Sequence, residues 1–511
     1  MGHPADVKVS PDDADQVLPS PKHPLYGRRI AIGLTVAIII LFPLILFHEP
    51  WTTSHSVSPA ADLYQRALGY ERAGDDEQAL ATLDQALSLQ PAFSDACIRA
   101  AYVAYELDDN AKANHYLSQC KGAESNEGPI GLKAKALKEL LADNPLKSME
   151  LYQLLIDRYP SDPDSLYRFA EVATNLDKVT EADNATEKCL QLEADNPYCR
   201  FQQMYVRIKQ NRFDDVLLEY KLMPPKARAY PWFDEPLGIA FMGKGQFDEA
   251  AAAFERLAES QSRLHGSSHF TTGKAWNAEI LLYRGKVIEA ARHIQQIIET
   301  SDNISERSYL LELAQMYAMV GNAQLASKFA REVATGPADP NDLANAAVVL
   351  ASIGDRAGSM EMLKARSQLT QAGGPPGREH LIRGLMALAE NDITNAIERI
   401  RLSYELSPQD PETAYWLATA YERNGNHKAA LDMFKKVRDL KGTILMDSVS
   451  LMLPLASYKI AECYEQLGEP DAAKPYYAEV SDFWRDADEV IRRIVPKIQM
   501  SSNATQLRKA N

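Results

Sequence analysis

A pattern about 34 residues long recurs along this chain, and it leaves few architectures open. Its first instance, Ala60 to Pro91, reads AADLYQRALGYERAGDDEQALATLDQALSLQP. Apolar residues at helical spacing run to Tyr70, and Gly74-Asp75 interrupts them. A second periodic segment runs from Glu77 to Pro91, where a helix must stop because proline lacks an N–H and clashes with the preceding turn. Ala67, Ala79 and Ala86 put small side chains where two antiparallel helices would touch, and Leu63, Tyr70 and Leu83 fill the space between. A single hairpin of this kind cannot bury its apolar face, but a stack of them can.

The same signature returns at spacings of about 33 to 43 residues. Units begin near Ser94 (Ala101, Ala113), Pro129 (Ala136, Ser148), Pro163 (Ala170, Ala182) and Pro197. The last of these is degenerate, with Met204 and Val216 at the small positions and Asn211 at the turn. Further units carry Gly238, Gly245 and Ala250; Ala278, Gly285 and Ala290; Ala314, Gly321 and Ala326; Ala347, Gly354 and Ser359; and Gly384 and Ala396. The last two are Leu417-Ala418, Tyr421, Gly425, Ala430, Phe434 and Ile460-Ala461, Tyr464, Gly468, Ala473, Tyr477. The sequence from 60 to 480 thus resembles tetratricopeptide-repeat (TPR) proteins. The resemblance implies an all-α, right-handed superhelical solenoid of about 12 helix-turn-helix repeats, with binding on its concave face. A charged and apolar segment at 481–500 suits a capping helix for the last unit, and 501–511 reads as a disordered tail. The run FWRDADEVIRRI within it resembles the ends of such regions in bacterial membrane-anchored regulators, which points to a bacterial source.

Ahead of the repeats, Ile30 to Phe47 holds no charged residue. As a helix this run spans about 27 Å, close to the hydrocarbon core of a bilayer. Tyr26 and Trp51 flank it, and Lys22, Arg28 and Arg29 precede it. The positive-inside rule then keeps the Pro- and Asp-rich tail 1–29 in the cytoplasm and carries the array, after the linker 48–59, to the far side of the inner membrane. The charged leader is long and no small-x-small site follows Phe47 closely, which favours an uncleaved anchor over a signal peptide.

Charge excludes one class of partner. With 55 Lys+Arg against 70 Asp+Glu, a net charge of −15 is the wrong sign for a phosphate backbone, so no nucleic acid is expected. No phosphate loop, H-E-x-x-H or G-x-S-x-G occurs, and His265 and His269 flank a Gly-Ser-Ser loop without an acidic third ligand. Neither a catalytic residue, a metal nor a cofactor is expected. Among the five cysteines, Cys97 opens one unit's first helix and Cys120 closes its second, while Cys189 closes one unit and Cys199 opens the next. In an oxidising compartment both pairs can form disulfides; otherwise all four serve as small apolar fillers.

On the concave face, inward positions are held by Tyr102 and Tyr105 of the second unit, Tyr198, Phe201 and Tyr205 of the fifth, and Trp232 at the start of the sixth. Such rings either contact a bound polypeptide or pack between units. Lys133 stands alone at a position where clamps for a terminal carboxylate use paired Lys and Asn. The expectation is a non-enzymatic, membrane-tethered scaffold or chaperone-like factor that binds protein or peptide partners. The alternative is a sensory membrane protein that signals through its short cytoplasmic tail.

Overall fold

The computed structural model describes residues 58–498 except 108, 121–127, 226, 266–271, 301–305, 336–339, 370–376 and 448. The expected tails, the membrane segment Ile30–Phe47, nearly all of the linker, His269 and most of the Gly-Pro loop after Ala372 lie outside the described residues. Among the described residues no helix is long and apolar enough to cross a membrane.

Twelve helical hairpins follow one another among these residues. The first four are α1 (Pro59–Arg72) with α2 (Asp76–Leu89), α3 (Ser94–Glu106) with α4 (Asn110–Gln119), α5 (Pro129–Leu141) with α6 (Pro145–Arg158), and α7 (Pro163–Asn175) with α8 (Val179–Leu192). The fifth is α9 (Pro197–Lys209) with α10 (Phe213–Leu222), and two short 3₁₀ turns precede the sixth, α11 (Asp234–Gly243) with α12 (Phe247–His265). Then come α13 (Thr272–Tyr283) with α14 (Val287–Thr300), α15 (Glu306–Met319) with α16 (Ala323–Glu332), and α17 (Pro340–Ser352) with α18 (Arg356–Leu369). The tenth and eleventh are α19 (Arg378–Ala389) with α20 (Ile393–Leu406) and α21 (Pro411–Arg423) with α22 (His427–Asp439). A short α23 (Lys441–Met446) precedes the twelfth, α24 (Met452–Gln466) with α25 (Pro470–Phe483), and α26 (Glu489–Ile494) follows it.

In every hairpin but the second, whose turn residue lies outside the described residues, the first helix stops where the chain enters the left-handed region. In the first hairpin Gly74 has φ +78°, its N–H bonds the Glu71 carbonyl at 2.8 Å, and the Asp75 N–H bonds that of Tyr70 at 2.9 Å. This pair of bonds satisfies carbonyls that the helix end leaves open. Asp75 then accepts the Gln78 N–H and caps the second helix. Asn211 and Asn391 take the glycine's place in the fifth and tenth turns, because asparagine tolerates this conformation better than other side chains. The small residues meet as the repeat pattern requires: Ala67, Ala79 and Ala86 have no exposed surface.

The array is wound tightly enough for distant hairpins to touch. Gly74, in the first turn, lies where a Cβ would be 2.8 Å from Pro231 Cγ, between the fifth and sixth hairpins. Asn211, in the fifth turn, donates to the Asp439 carbonyl at 2.7 Å and accepts the Gly442 N–H at 2.7 Å. One core therefore joins Met204, Ile208 and Phe213 to Phe434, Ile444 and Ile460. The closing segment differs from the expected cap in extent and in partner. The helix before it runs on to Phe483, residues 484–488 form no helix, and α26 has only six residues. Trp484, fully buried, donates its indole N–H to the Tyr283 carbonyl at 3.0 Å, and Asp488 accepts the Ile288 N–H at 2.7 Å. The segment thus covers the seventh hairpin as well as the twelfth. The apolar face of such a segment is legible in its sequence, but the distant turn that the face meets is not.

Candidate functional site

First helices of the opening four hairpins carry a chain of ion pairs along one face. Arg99 on α3 reaches Glu71 on α1 at 2.8 Å and Asp164 on α7 at 2.9 Å. Lys133 on α5 reaches Asp164 at 2.7 Å and Asp162 at 2.8 Å. Arg168, only 2% exposed, pairs with Glu106 and Glu171 and lies over the Tyr102 ring at 4.5 Å. Burial pushes the Asp164 carboxyl up, but Lys133, Arg99 and Arg168 outweigh it and hold the group well below the usual carboxylate range. Glu71 goes the other way, because its burial outweighs the attraction of Arg99. Lys133 is therefore not alone: Arg99 stands beside it, and both are already occupied by carboxylates.

Between these helices opens a cavity of about 550 Å³, lined among others by Tyr64, Asp95, Arg99, Tyr102, Lys133, Tyr159 and Asp162. Asp95 is exposed, and Tyr159 is 36% exposed. Carboxylates outnumber cations in this lining, with Asp95, Asp162 and Asp164 against Arg99 and Lys133. The opening thus offers ring surfaces and the exposed carboxylate of Asp95 beside an ion-paired acidic wall, the surface that a basic polypeptide segment needs.

The aromatic residues singled out in the sequence separate into two groups. Tyr102 lines this cavity but is buried, and its hydroxyl is committed to the Lys133 carbonyl at 3.0 Å and to the Tyr152 hydroxyl at 2.6 Å. Tyr105 is half-buried against the amino-terminal core. Tyr198, Phe201 and Tyr205 do not form an open wall. Tyr198 packs on Tyr167 at 5.5 Å and on Tyr230 at 5.7 Å, and Phe201 packs on Tyr205 at 4.8 Å. Trp232 lies against Gly74. The stretch 227–233 turns inward and fills the space that these rings would otherwise line. Tyr230, which receives three of the ring contacts, sits between repeats, where no periodicity in the sequence marks it.

The cysteine pairs are bonded, Cys97 to Cys120 and Cys189 to Cys199, with Cα–Cα distances of 5.8 and 6.2 Å. Both separations lie in the range a disulfide requires. Cys463 is buried and free, and burial pushes its thiol up to about 12.

A pair of buried acids faces the distant contact on the other side. Glu279 on α13 accepts the Ser450 N–H at 3.2 Å, and the Ser450 hydroxyl donates to the Glu279 carbonyl at 3.0 Å. Glu312 on α15 is its hydrogen-bond partner. Burial raises both, and the Glu279 charge raises Glu312 further, so the pair holds protons more tightly than free glutamates do. The folded protein therefore binds protons that the unfolded chain releases. The stabilisation is complete below the ordinary glutamate pKa and is lost as pH rises through the raised values. Glu312→Gln keeps a donor without the charge. It is expected to raise stability at pH 8 by about 1–3 kcal/mol and to leave it nearly unchanged at pH 4. Equal effects at the two pH values in denaturant titrations would show that the pair shares no proton.

Comparison with known proteins bears on the repeats. Residues 389–476 match the family described as anaphase-promoting complex, cyclosome, subunit 3. Residues 236–279 and 63–92 match two tetratricopeptide repeat families. Among solved structures, the chain is similar to the human IFIT1 dimer with m7Gppp-AAAA, at 15% identity and a TM-score of 0.39, covering 73% of this chain and 88% of that one. The human IFIT1 dimer with PPP-AAAA gives the same identity, coverage and score. No curated protein matches the sequence. The two tetratricopeptide matches fall on the first hairpin and on the sixth with the start of the seventh, so these stretches are tetratricopeptide repeats, and the other hairpins share their helix-turn-helix plan.

Proposed function

We propose that this chain is a non-enzymatic scaffold, tethered through Ile30–Phe47 in a bacterial inner membrane, whose repeats bind polypeptide segments on the far side. The observation that carries the reading is the 550 Å³ opening between the first four hairpins, where exposed ring edges and an excess of carboxylates face solvent. Its acidic lining favours a basic polypeptide and disfavours a phosphate backbone. Two disulfides in the amino-terminal repeats support an oxidising compartment, and hence the far side of the membrane. Tethering raises the local concentration of partners that share the membrane, so modest affinity suffices.

The test uses native membranes. A photo-crosslinking residue in place of Tyr64 is expected to capture a discrete polypeptide. Asp95→Lys with Tyr159→Ala, both at exposed positions, is expected to lower that capture about tenfold, some 1.4 kcal/mol, without changing the melting temperature. Undiminished capture by the double variant would remove the opening from the binding surface. Alkaline phosphatase fused after Asn511 is expected to be active; an inactive phosphatase, with a cytoplasmic reporter active at the same point, would reverse the orientation.

A further inference from the structure

A second cavity, of about 280 Å³, opens where the first helices of the eighth to eleventh hairpins meet the segment after α23. Its wall is divided. One side is apolar, with Met319 and Val349 beside the half-buried rings of Tyr415 and Trp416, which stand edge to face at 5.8 Å. The other side is acidic, with Asp410, Glu412 and Asp447.

The lining contains one cation, Arg378, and it is already engaged. Its guanidinium meets Glu412 at 2.9 Å and Asp410 at 3.5 Å, and it donates to the Asn345 side chain. Lys209, whose charge also acts on Asp447, is held by Asp177. Asp447 is exposed to the cavity and has no ion pair among the described residues. This is a carboxylate short of counter-charge, set opposite a ring surface in a space too roomy for a bare ion.

We propose that this cavity is a second polypeptide subsite, which takes an arginine side chain flanked by an apolar residue: the guanidinium bonds Asp447 and lies on Trp416, while the apolar neighbour packs on Met319. A planar cation fits both walls at once, since it forms paired hydrogen bonds to a carboxylate and stacks on an indole. The subsite rests on the reading of the array as a polypeptide-binding surface, but it shares no residue with the opening near Asp95. Asp447 is open to solvent on the cavity side but enclosed by protein on its other sides, and this partial desolvation pushes it up to about 6, with Asp177 and Asp410 raising it and Lys209 and Arg378 opposing them. An occupant held by this carboxylate is released as pH falls through that value.

The probe is a fluorescent hexapeptide of alternating arginine and leucine, compared with its glutamate–leucine counterpart on the full chain in nanodiscs. Saturable binding of the arginine peptide at pH 7.5 is expected, with none of the glutamate peptide. Asp447→Asn and Trp416→Ala are each expected to weaken it about tenfold, and the wild-type affinity is expected to fall by a similar factor at pH 5 while that of Asp447→Asn does not. Unchanged affinity in both variants, with binding lost instead in Asp95→Lys, overturns this subsite and leaves the scaffold reading standing. An arginine peptide that binds nowhere on the chain, or no better than the glutamate peptide, overturns both. A tenfold gain on deleting residues 499–511 assigns the cavity to the chain's own end, which also overturns the proposal.

Discussion

Replacing Cys97, Cys120, Cys189 and Cys199 by serine is expected to destabilise the amino-terminal repeats by roughly 6 kcal/mol, about 3 for each link. The closed loops are short, with sequence separations of 23 and 10, and a cross-link stabilises chiefly by restricting the unfolded chain. The two bonds act at different levels. Cys97–Cys120 ties the open end of one hairpin, from the start of α3 to the end of α4. Cys189–Cys199 joins the fourth hairpin to the fifth, and so strengthens the junction between neighbours on which a stacked array depends. Hydrogen exchange over residues 94–209 would read the effect, and reductant should reproduce it in the wild-type chain. Protein isolated from membranes and denatured without reductant should show one reactive thiol, that of Cys463. Five thiols, or protection indifferent to reductant, would refute both the stabilising role and the oxidising compartment.

Gly442→Ala is expected to cost about 4 kcal/mol, at the high end for a single substitution. A Cβ there would stand 1.8 Å from the Ile208 carbonyl oxygen, and that atom belongs to the backbone of α9, so no side chain can move aside. The Gly442 N–H would withdraw from Asn211, and the core shared by the fifth to seventh, eleventh and twelfth hairpins would open. Trp484→Ala attacks the same closure elsewhere, by emptying the buried indole's place and removing its bond to the Tyr283 carbonyl, with an expected loss of about 3–5 kcal/mol. Small-angle scattering should show both variants expanded, and exchange should rise in residues 427–498 before the first four hairpins are affected. A Gly442→Ala chain as compact and as stable as wild type would mean that the contact with α9 does not hold the array closed.

The repeats were legible because each hairpin declares itself locally. Alanine at the helix crossing, glycine or asparagine at the turn and proline at the helix start each answer a steric demand within about 34 residues. The cysteine pairs were legible for the same reason, since they join ends within one hairpin or between adjacent ones. The ion-pair chain was not, although each member is an ordinary charged residue of a first helix. Its logic lies in positions one or two hairpins apart, such as Arg99 and Asp164, and Lys133 looked solitary because its partners sit a hairpin away. The inward turn of residues 227–233 and the clasp at Asn211 were further out of reach. They depend on how many hairpins complete one turn of the superhelix, which small angular increments at every junction set together.

A plain stack can be lengthened or shortened by one unit, and each remaining unit still finds its neighbour. This array has lost that freedom. Asn211 meets Gly442, Gly285 meets Asp488 and Gly74 meets Pro231 only while the number of hairpins between them stays fixed. Deleting or duplicating a repeat among the second to fourth would bring Gly74 opposite the wrong turn, and one among the eighth to tenth would misplace both Asn211 and Gly285. The chain has exchanged the modular growth of its architecture for a fixed length, and only insertions that leave the hairpin count unchanged, within the loops between hairpins, remain open to it.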